Sequence, residues 1–188
     1  KDGPEYVAYT EQPMFRYNSY FGINTVHYLD LVGIEGPNPL PLGGVALSSL
    51  ATACRLGMAK RGASGEPVLP PVARGIVDGL ASLSFLSWME PDGFPRIAPV
   101  IQARSVGASR IAFTPGPWRD DIAVVAEGVR VGIFSMTLGM ESFFARGRLT
   151  HRAGGGLVAV DLDYLYNSAP PAHGQVYPPV ELRATTEF

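Results

Sequence analysis

The sequence predicts a mainly β protein in which six short antiparallel strands form a closed or nearly closed sheet, with a few flanking helices. Short apolar or alternating runs follow one another from residue 83 to residue 166, and no long helical pattern separates them. The turn Glu-Pro-Asp-Gly-Phe-Pro at 90–95 divides the first two runs. The 22 glycines and 17 prolines are spread between the apolar runs as turn residues, which is typical of many short strands rather than of disorder.

Residues 1–65 are predicted to form an added N-terminal β/α subdomain that packs on the barrel. Residues 5–34 are rich in Tyr, Val and Phe and are expected to be β-rich, and the proline-rich residues 36–44 form a linker. A helix is predicted next, because apolar residues recur at helical spacing. We expect the face that they share to be buried, and it contains Leu47, Leu50, Ala51, Cys54 and Met58.

Residues 66–188 are predicted to contain the barrel and to end in a proline-rich tail on the surface. Pro70 and Pro71 begin a short helix, because proline is favoured in a first helical turn. A second short helix is expected at 120–128. Strands are expected at 83–89, 96–104, 110–114, 129–136, 140–149 and 156–166, with Ile111 and Phe113 on one face.

Composition excludes several classes of function. The net charge is −2 and no long charge run occurs, so the basic field that nucleic-acid binding requires is absent. No apolar run approaches the ~18 residues of a membrane span. One cysteine, Cys54, makes neither an internal disulfide nor a cysteine-rich metal site, and the default location is the cytoplasm. Only 17% of residues are charged, which suggests that apolar surface is hidden between subunits.

Four segments between residues 70 and 166 carry a family resemblance. The first is a D-G-x-P turn followed by a strand that starts with arginine, comprising Asp92, Gly93, Pro95, Arg96, Pro99 and Val100. The others are Ile-Ala-Phe-Thr at 111–114 and the V-x-V-x-I-F pattern at 129–134, and residues 143–149 resemble a further family strand. Together they resemble the FMN-binding split-barrel superfamily, which includes pyridoxamine 5′-phosphate oxidase. The resemblance implies a six-stranded antiparallel split β-barrel.

The same resemblance implies a homodimer with one FMN in each of two clefts at the subunit interface. If the protein is an enzyme, it is expected to be an FMN-dependent oxidoreductase of a small-molecule substrate. Basic and hydroxyl side chains would hold the phosphate, since arginine offers two parallel donors. The residues implied in cofactor binding are Arg96, Ile97, Pro99, Val100, Thr114, Trp118 and Arg119. Two aspartates, Asp120 and Asp121, follow where many family members carry Ser-Arg-Lys.

Other interpretations stay open at this point. One is a non-catalytic dimer that stores or senses flavin or serves as an interaction module. Another is a haem-binding or haem-degrading protein, for which His27 and His173 are the candidate axial ligands, and a deazaflavin is a further candidate cofactor. His27, His151 and His173 are far apart in sequence and do not have the spacing of metal ligands. No metal site is therefore predicted.

Individual residues also have structural interpretations. Arg96 would then be an exposed strand residue, Arg119 would pair with Asp120 or Asp121, and Trp118 would cover an edge of the core. Arg146 and Arg148 share a strand face and form either a solvated stripe or a contact to phosphate across the dimer. No residue is assigned as a general acid or base.

Overall fold

The computed structural model describes residues 4, 7–8, 11, 30–33, 39–59, 65–139, 141–152, 156–167 and 174–180. The chain divides into two units, residues 1–40 and 41–188. In the first unit, Val7 and Ala8 are helical and the Glu11 N–H donates to the Val7 carbonyl (3.0 Å). The β prediction is wrong here, because this i to i+4 bond closes a helical turn. Residues 30–33 have no regular structure, and the rest of 5–34 lies outside the described residues.

Helix α1 (Leu42–Ala59) begins the regular structure of the second unit, and the side that it buries includes two hydroxyl residues. Ser48 and Thr52 are buried, whereas Leu47 and Leu50 are 72% and 64% exposed and Cys54 is exposed. The predicted apolar buried face is therefore wrong. Ser48, Thr52, Arg55 and Ala59 recur at the same helical spacing on another side, and the two hydroxyls donate within the helix to the carbonyls of Gly44 (2.7 Å) and Ser48 (2.8 Å).

The remaining elements confirm a mainly β antiparallel fold with few helices. They are α2 (Pro71–Asp78), β1 (Ser82–Met89), β2 (Pro95–Pro99), β3 (Arg104–Val106), β4 (Arg110–Phe113), a 3-10 turn (Gly116–Trp118), α3 (Arg119–Ala123), β5 (Arg130–Thr137), β6 (Ser142–Arg152), β7 (Leu157–Asn167) and β8 (Gly174–Tyr177). All six predicted strands and both short helices are present.

Two further strands bring the sheet to eight. The predicted strand 96–104 stops at Pro99, because proline cannot donate to a ladder. The chain turns there, with the Ala103 N–H donating to the Val100 carbonyl (2.8 Å), and β3 follows as a separate strand. The other addition is β8, which lies in the proline-rich tail, where no strand is predicted, and pairs with β7.

The sheet has the strand order β2-β1-β5-β6-β7-β4-β3, and every pair is antiparallel. Its backbone ladder ends at β2 on one side and β3 on the other. These strands are joined by the short turn at 100–103. Closure of the barrel stays a prediction.

The hairpin between β1 and β2 forms as its sequence predicts. The Gly93 N–H donates to the Glu90 carbonyl (3.0 Å), and Gly93 adopts a φ of 86°, which glycine tolerates best. The Asp92 carboxylate accepts from the Phe94 N–H (2.9 Å). This turn sets the register in which Trp88 lies opposite Arg96.

The main core lies on the inner face of the sheet. Fully buried Leu86, Ile133 and Ala145 from β1, β5 and β6 belong to it, together with Ile76 of α2 and Ile122 of α3. Ile111 and Phe113 lie on one face of β4, as predicted, and both belong to this core. A smaller cluster lies under α1 and comprises Ala59, Val106, Ala112, Leu157 and Ala159. In the described part of the chain no helix has both the length and the apolar character of a membrane span.

Candidate functional site

The outer face of the sheet, opposite the main core, carries a line of apolar side chains that crosses five strands. Pro99 lies opposite Phe85, Phe85 opposite Phe134, Phe134 opposite Phe144, and Phe144 opposite Tyr166. All five are partly buried. Because neighbouring strands are about 4.8 Å apart, this apolar row is roughly 19 Å long. A strand whose two faces are both apolar is one that packs on both sides.

Residues beside the apolar row widen it. On one side Leu83 lies opposite Met136, and on the other Ile97, which is 68% exposed, lies opposite Ser87. Gly132 is next to Ser87, and a β-carbon there would lie 2.8 Å from Cε2 of Phe144. The aromatic ring of Phe144 therefore lies over bare backbone, and a larger residue at 132 would displace it.

Basic side chains lie beside the apolar row, further along β5 and β6 on the same outer face. We call Arg130, Arg146 and Arg148 the arginine patch. The Arg146 guanidinium stacks on Tyr164, with its carbon 4.2 Å from the ring centroid. Arg130 pairs with Asp163 (2.6 Å), and Arg148 donates to the Gly128 carbonyl (3.0 Å).

A β-bulge positions this patch. The register of β6 and β7 shifts between Arg146 and Gly147, so that Asp163 is an extra residue on β7. A β-carbon at Gly147 would overlap the Asp161 carbonyl, so the close approach of the two strands requires glycine. The bulge re-aims β7, and Tyr164 comes to lie opposite Arg146.

The four predicted cofactor residues on the strand after the hairpin have different environments. Ile97 and Pro99 lie on the outer face beside the apolar row. Arg96 is half-exposed and its Nε lies 3.2 Å from the Glu90 carboxylate. Val100 is fully buried in the main core and its N–H donates to the Ser84 carbonyl (2.8 Å). Ile97 and Arg96 are therefore the accessible side chains of this group.

The three predicted residues after β4 also differ from one another. Thr114 is buried under α1, where its N–H donates to Thr52 Oγ1 (2.8 Å) and its hydroxyl accepts weakly from Arg55 (3.5 Å). Trp118 is partly buried against the main core. Arg119 is exposed, and it makes no ion pair with any acid in the described ranges.

Gln102 links the segment after β2 to the segment after β4. Its side-chain amide is fully buried and donates to the Thr114 carbonyl (2.6 Å), while its Oε1 has no hydrogen-bond partner among the described residues. Gly116 follows with φ 56°, and a β-carbon there would overlap the Ser48 hydroxyl. These contacts fix the loop from which Trp118 and Arg119 project.

The candidate haem and metal ligands are not located by the structure. His27 and His173 lie outside the described residues, and only the backbone of His151 is described, in β6. Where side chains are described, no group of three His, Cys, Asp or Glu residues is placed to hold a metal ion.

Sequence reasoning missed the apolar row and the stacking of Arg146 on Tyr164. The sequence did contain a signal for the row. In 83–89 and 129–136, apolar residues occur both at the positions that face the core and at the positions that face the other side of the sheet. The pairing of Arg146 with Tyr164 had no such signal, since it depends on the bulge.

Comparison with known proteins gives a limited result. No protein-family profile matches the sequence, and no curated protein matches it. The solved structures that resemble part of the chain include two of HupZ. HupZ from Group A Streptococcus is 13% identical over 50% of this chain and 93% of its own, with a TM-score of 0.40. A histidine-to-alanine variant of HupZ is 12% identical over 53% of this chain and 99% of its own, with a TM-score of 0.43.

Proposed function

We propose that this chain forms a split-barrel homodimer that binds FMN at the edge of its subunit interface. The apolar row is the observation that carries this proposal, because its five side chains are only partly buried in the described structure. Contiguous apolar surface of this kind marks contacts with a protein or a ligand. The low fraction of charged residues, 17%, is consistent with a covered face.

A second copy of the chain suits the row better than an unrelated partner. Phe134 stands in its middle, with two positions of the row on either side. A two-fold axis that passes beside Phe134 would place the row of one protomer against the same row of its partner. This is the self-complementary contact of a symmetric dimer. The centre of the apolar row would be buried in the middle of the dimer interface, and its β2 end would lie at the rim of that interface.

The isoalloxazine ring is proposed to lie at that rim, beside Ile97 and Pro99. Ile97 is exposed and apolar at the outer edge of the row, as a planar ring requires. Because β2 is the last strand of the ladder among the described residues, its outer edge is proposed to meet the polar edge of the ring.

The phosphate of FMN is assigned to Arg119. Its guanidinium is exposed and is not held by a described carboxylate, so it is available for a bidentate contact. Arg96 is a second candidate, but it would have to exchange Glu90 for the phosphate. The buried side chains of Val100 and Thr114 would shape the site from below rather than contact the cofactor.

Bound FMN would supply electron or hydride transfer to a small-molecule substrate. The residues of this chain would hold the phosphate, orient the ring and exclude water from one of its faces. Trp118, packed against the main core, would limit the movement of the phosphate-binding loop. We assign no residue as a proton donor or acceptor.

Haem is the second candidate cofactor, and one observation favours it. Met136 and Tyr166 lie on the same outer face as the three phenylalanines, and both residue types serve as axial ligands of haem iron. The arginine patch would then face the acidic side chains of the porphyrin. A Soret band in protein incubated with haemin, lost in Tyr166→Phe or in Met136→Leu, would support this alternative.

Titration with FMN tests the main proposal. We expect Arg119→Ala to weaken binding by about 1.5–3 kcal/mol, because a hydrogen bond to a charged group is lost. Asp120→Asn is the matched variant on the adjacent residue, and it should tighten binding by removing a negative charge beside the phosphate. Unchanged affinity in Arg119→Ala and in Arg96→Ala would overturn the assigned phosphate contacts.

A further inference from the structure

We propose that Arg146 and Arg148 form a second anion site, which binds the phosphate group of a small ligand. The site lies on β6, on the outer face of the sheet, and shares no residue with the proposed FMN site. It rests on the charges and contacts of the arginine patch and does not require flavin.

The charges around the patch are incompletely paired. Four arginines and two aspartates lie on neighbouring outer positions of β4 to β7. Asp161 is bonded to the buried Arg110, and Asp163 to Arg130. This leaves Arg146 and Arg148 without a carboxylate of their own among the described residues.

Arg148 occupies the least favourable of these positions. It lies directly opposite Arg130 on β5, and like charges at opposed strand positions destabilise a sheet. Asp161 is opposite Arg148 on the other side, but its carboxylate already accepts from Arg110. A bound dianion would remove this repulsion.

Arg146 is held in position before any ligand arrives. Stacking on Tyr164 fixes the plane of its guanidinium, so less freedom is lost when the terminal nitrogens bind. A planar arginine fork in a fixed orientation matches the oxygen atoms of a phosphate.

Two buried polar atoms near the bulge, one donor and one acceptor, set the hydrogen-bonding character of this part of the patch. Nε of Arg146 and Oδ1 of Asp163 have no hydrogen-bond partner within the described structure. A monohydrogen phosphate presents acceptor oxygens and one P–OH donor, whereas a carboxylate ion has no donor. This difference is why phosphate is favoured over a carboxylic acid.

Inorganic phosphate is the probe that tests the site. Phosphate is titrated into the full chain at constant ionic strength, and the N–H signals of the arginine side chains are followed by NMR. We expect the Arg146 signal to shift saturably, with no such shift in sodium chloride alone. Arg146→Lys and Arg148→Gln should each weaken binding by roughly tenfold or more, and Arg104→Lys should leave it unchanged.

Three outcomes would overturn the proposal. The first is the absence of a saturable shift. The second is an equal shift in Arg146→Lys, and the third is a loss of dimerisation in Arg146→Lys with no phosphate effect, which would make the patch a subunit contact. FMN affinity measured in Arg146→Lys is expected to be unchanged, so that failure of this site and failure of the FMN site are separate results.

Discussion

Phe85 and Phe134 lie directly opposite each other on β1 and β5, on the face of the sheet that points away from the main core. Their neighbours along the two strands, Leu86 and Ile133, are fully buried on the inner face. The central strands are therefore apolar on both sides. The inner side packs within the chain, and we propose that a second copy of the chain and a cofactor cover the outer side.

Phe134→Arg is expected to convert a dimer to a monomer. The substitution places a charge in the middle of the apolar row, where the proposed two-fold axis would bring two such charges together. Sedimentation velocity measures the change, and far-UV circular dichroism checks that the fold is kept. The control is Leu47→Arg, which alters an apolar residue that is 72% exposed on α1. A Phe134→Arg variant that still dimerises like the wild type would contradict this interface.

Gly116→Ala is expected to destabilise the fold by about 1–3 kcal/mol. Its φ of 56° is unfavourable for any residue with a β-carbon, and the new methyl group would press on the Ser48 hydroxyl. The matched variant is Gly57→Ala within α1, where an added β-carbon meets nothing within 4 Å. That variant should stabilise by about 0.5–1 kcal/mol. Urea denaturation compares the two, and equal effects would contradict the described packing of α1.

Asp161→Asn is expected to lower stability by about 1.5–3 kcal/mol, because the buried Arg110 loses the carboxylate to which its charge is bonded. The Arg110 bond to the Ala59 carbonyl (2.8 Å) remains. Asp163→Asn is the comparison, since its partner Arg130 is 54% exposed and a surface pair contributes only about 0–1 kcal/mol. Chemical denaturation of both variants tests whether Asp161→Asn lowers the free energy of unfolding more than Asp163→Asn does. A larger loss for Asp163→Asn would show that the buried pair is misassigned.

The bond between Tyr177 and Glu66 is expected to weaken at high pH. The hydrogen bond to Glu66, with smaller effects of burial and of the Glu66 charge, holds the pKa of the Tyr177 phenol above its ordinary value. A raised pKa means that the protonated phenol is favoured in the folded state. Its contribution is therefore complete below the ordinary tyrosine pKa and is lost as the pH rises through the raised one.

Amide hydrogen exchange in β8, at Gln175 and Val176, measures this contact. Protection relative to the rest of the sheet should fall across that alkaline range in the wild type. In Tyr177→Phe the protection of β8 should be low already at neutral pH, and it should not fall further across the alkaline range. An identical pH profile in the two proteins would show that the bond does not hold β8.

The strands were predictable because alternation and turn residues are local signals. The Asp92-Gly93 turn fixed both the hairpin and the register of β2, and Pro99 explains why β2 is short. The buried side of α1 was not predictable in the same way, since Ser48 and Thr52 have the same helical spacing as the apolar residues. Which side packs is decided by the fit of small hydroxyl residues against Thr114 and Gly116, contacts that are distant in sequence.

The candidate site was only partly predictable for the same reason. Among the residues that the family resemblance implied, Ile97 and Arg119 are exposed, whereas Val100 and Thr114 are buried by contacts with distant strands and with α1. The contacts of the arginine patch depend on the β-bulge at Asp163, and no local sequence pattern predicts this bulge.

The most direct test of the proposed function is size-exclusion chromatography of the full chain with added FMN, with the mass and the visible spectrum of each fraction recorded. We expect a dimer that carries one FMN per protomer, and a flavin absorption band that moves with the protein. A monomer from which all flavin separates would contradict it.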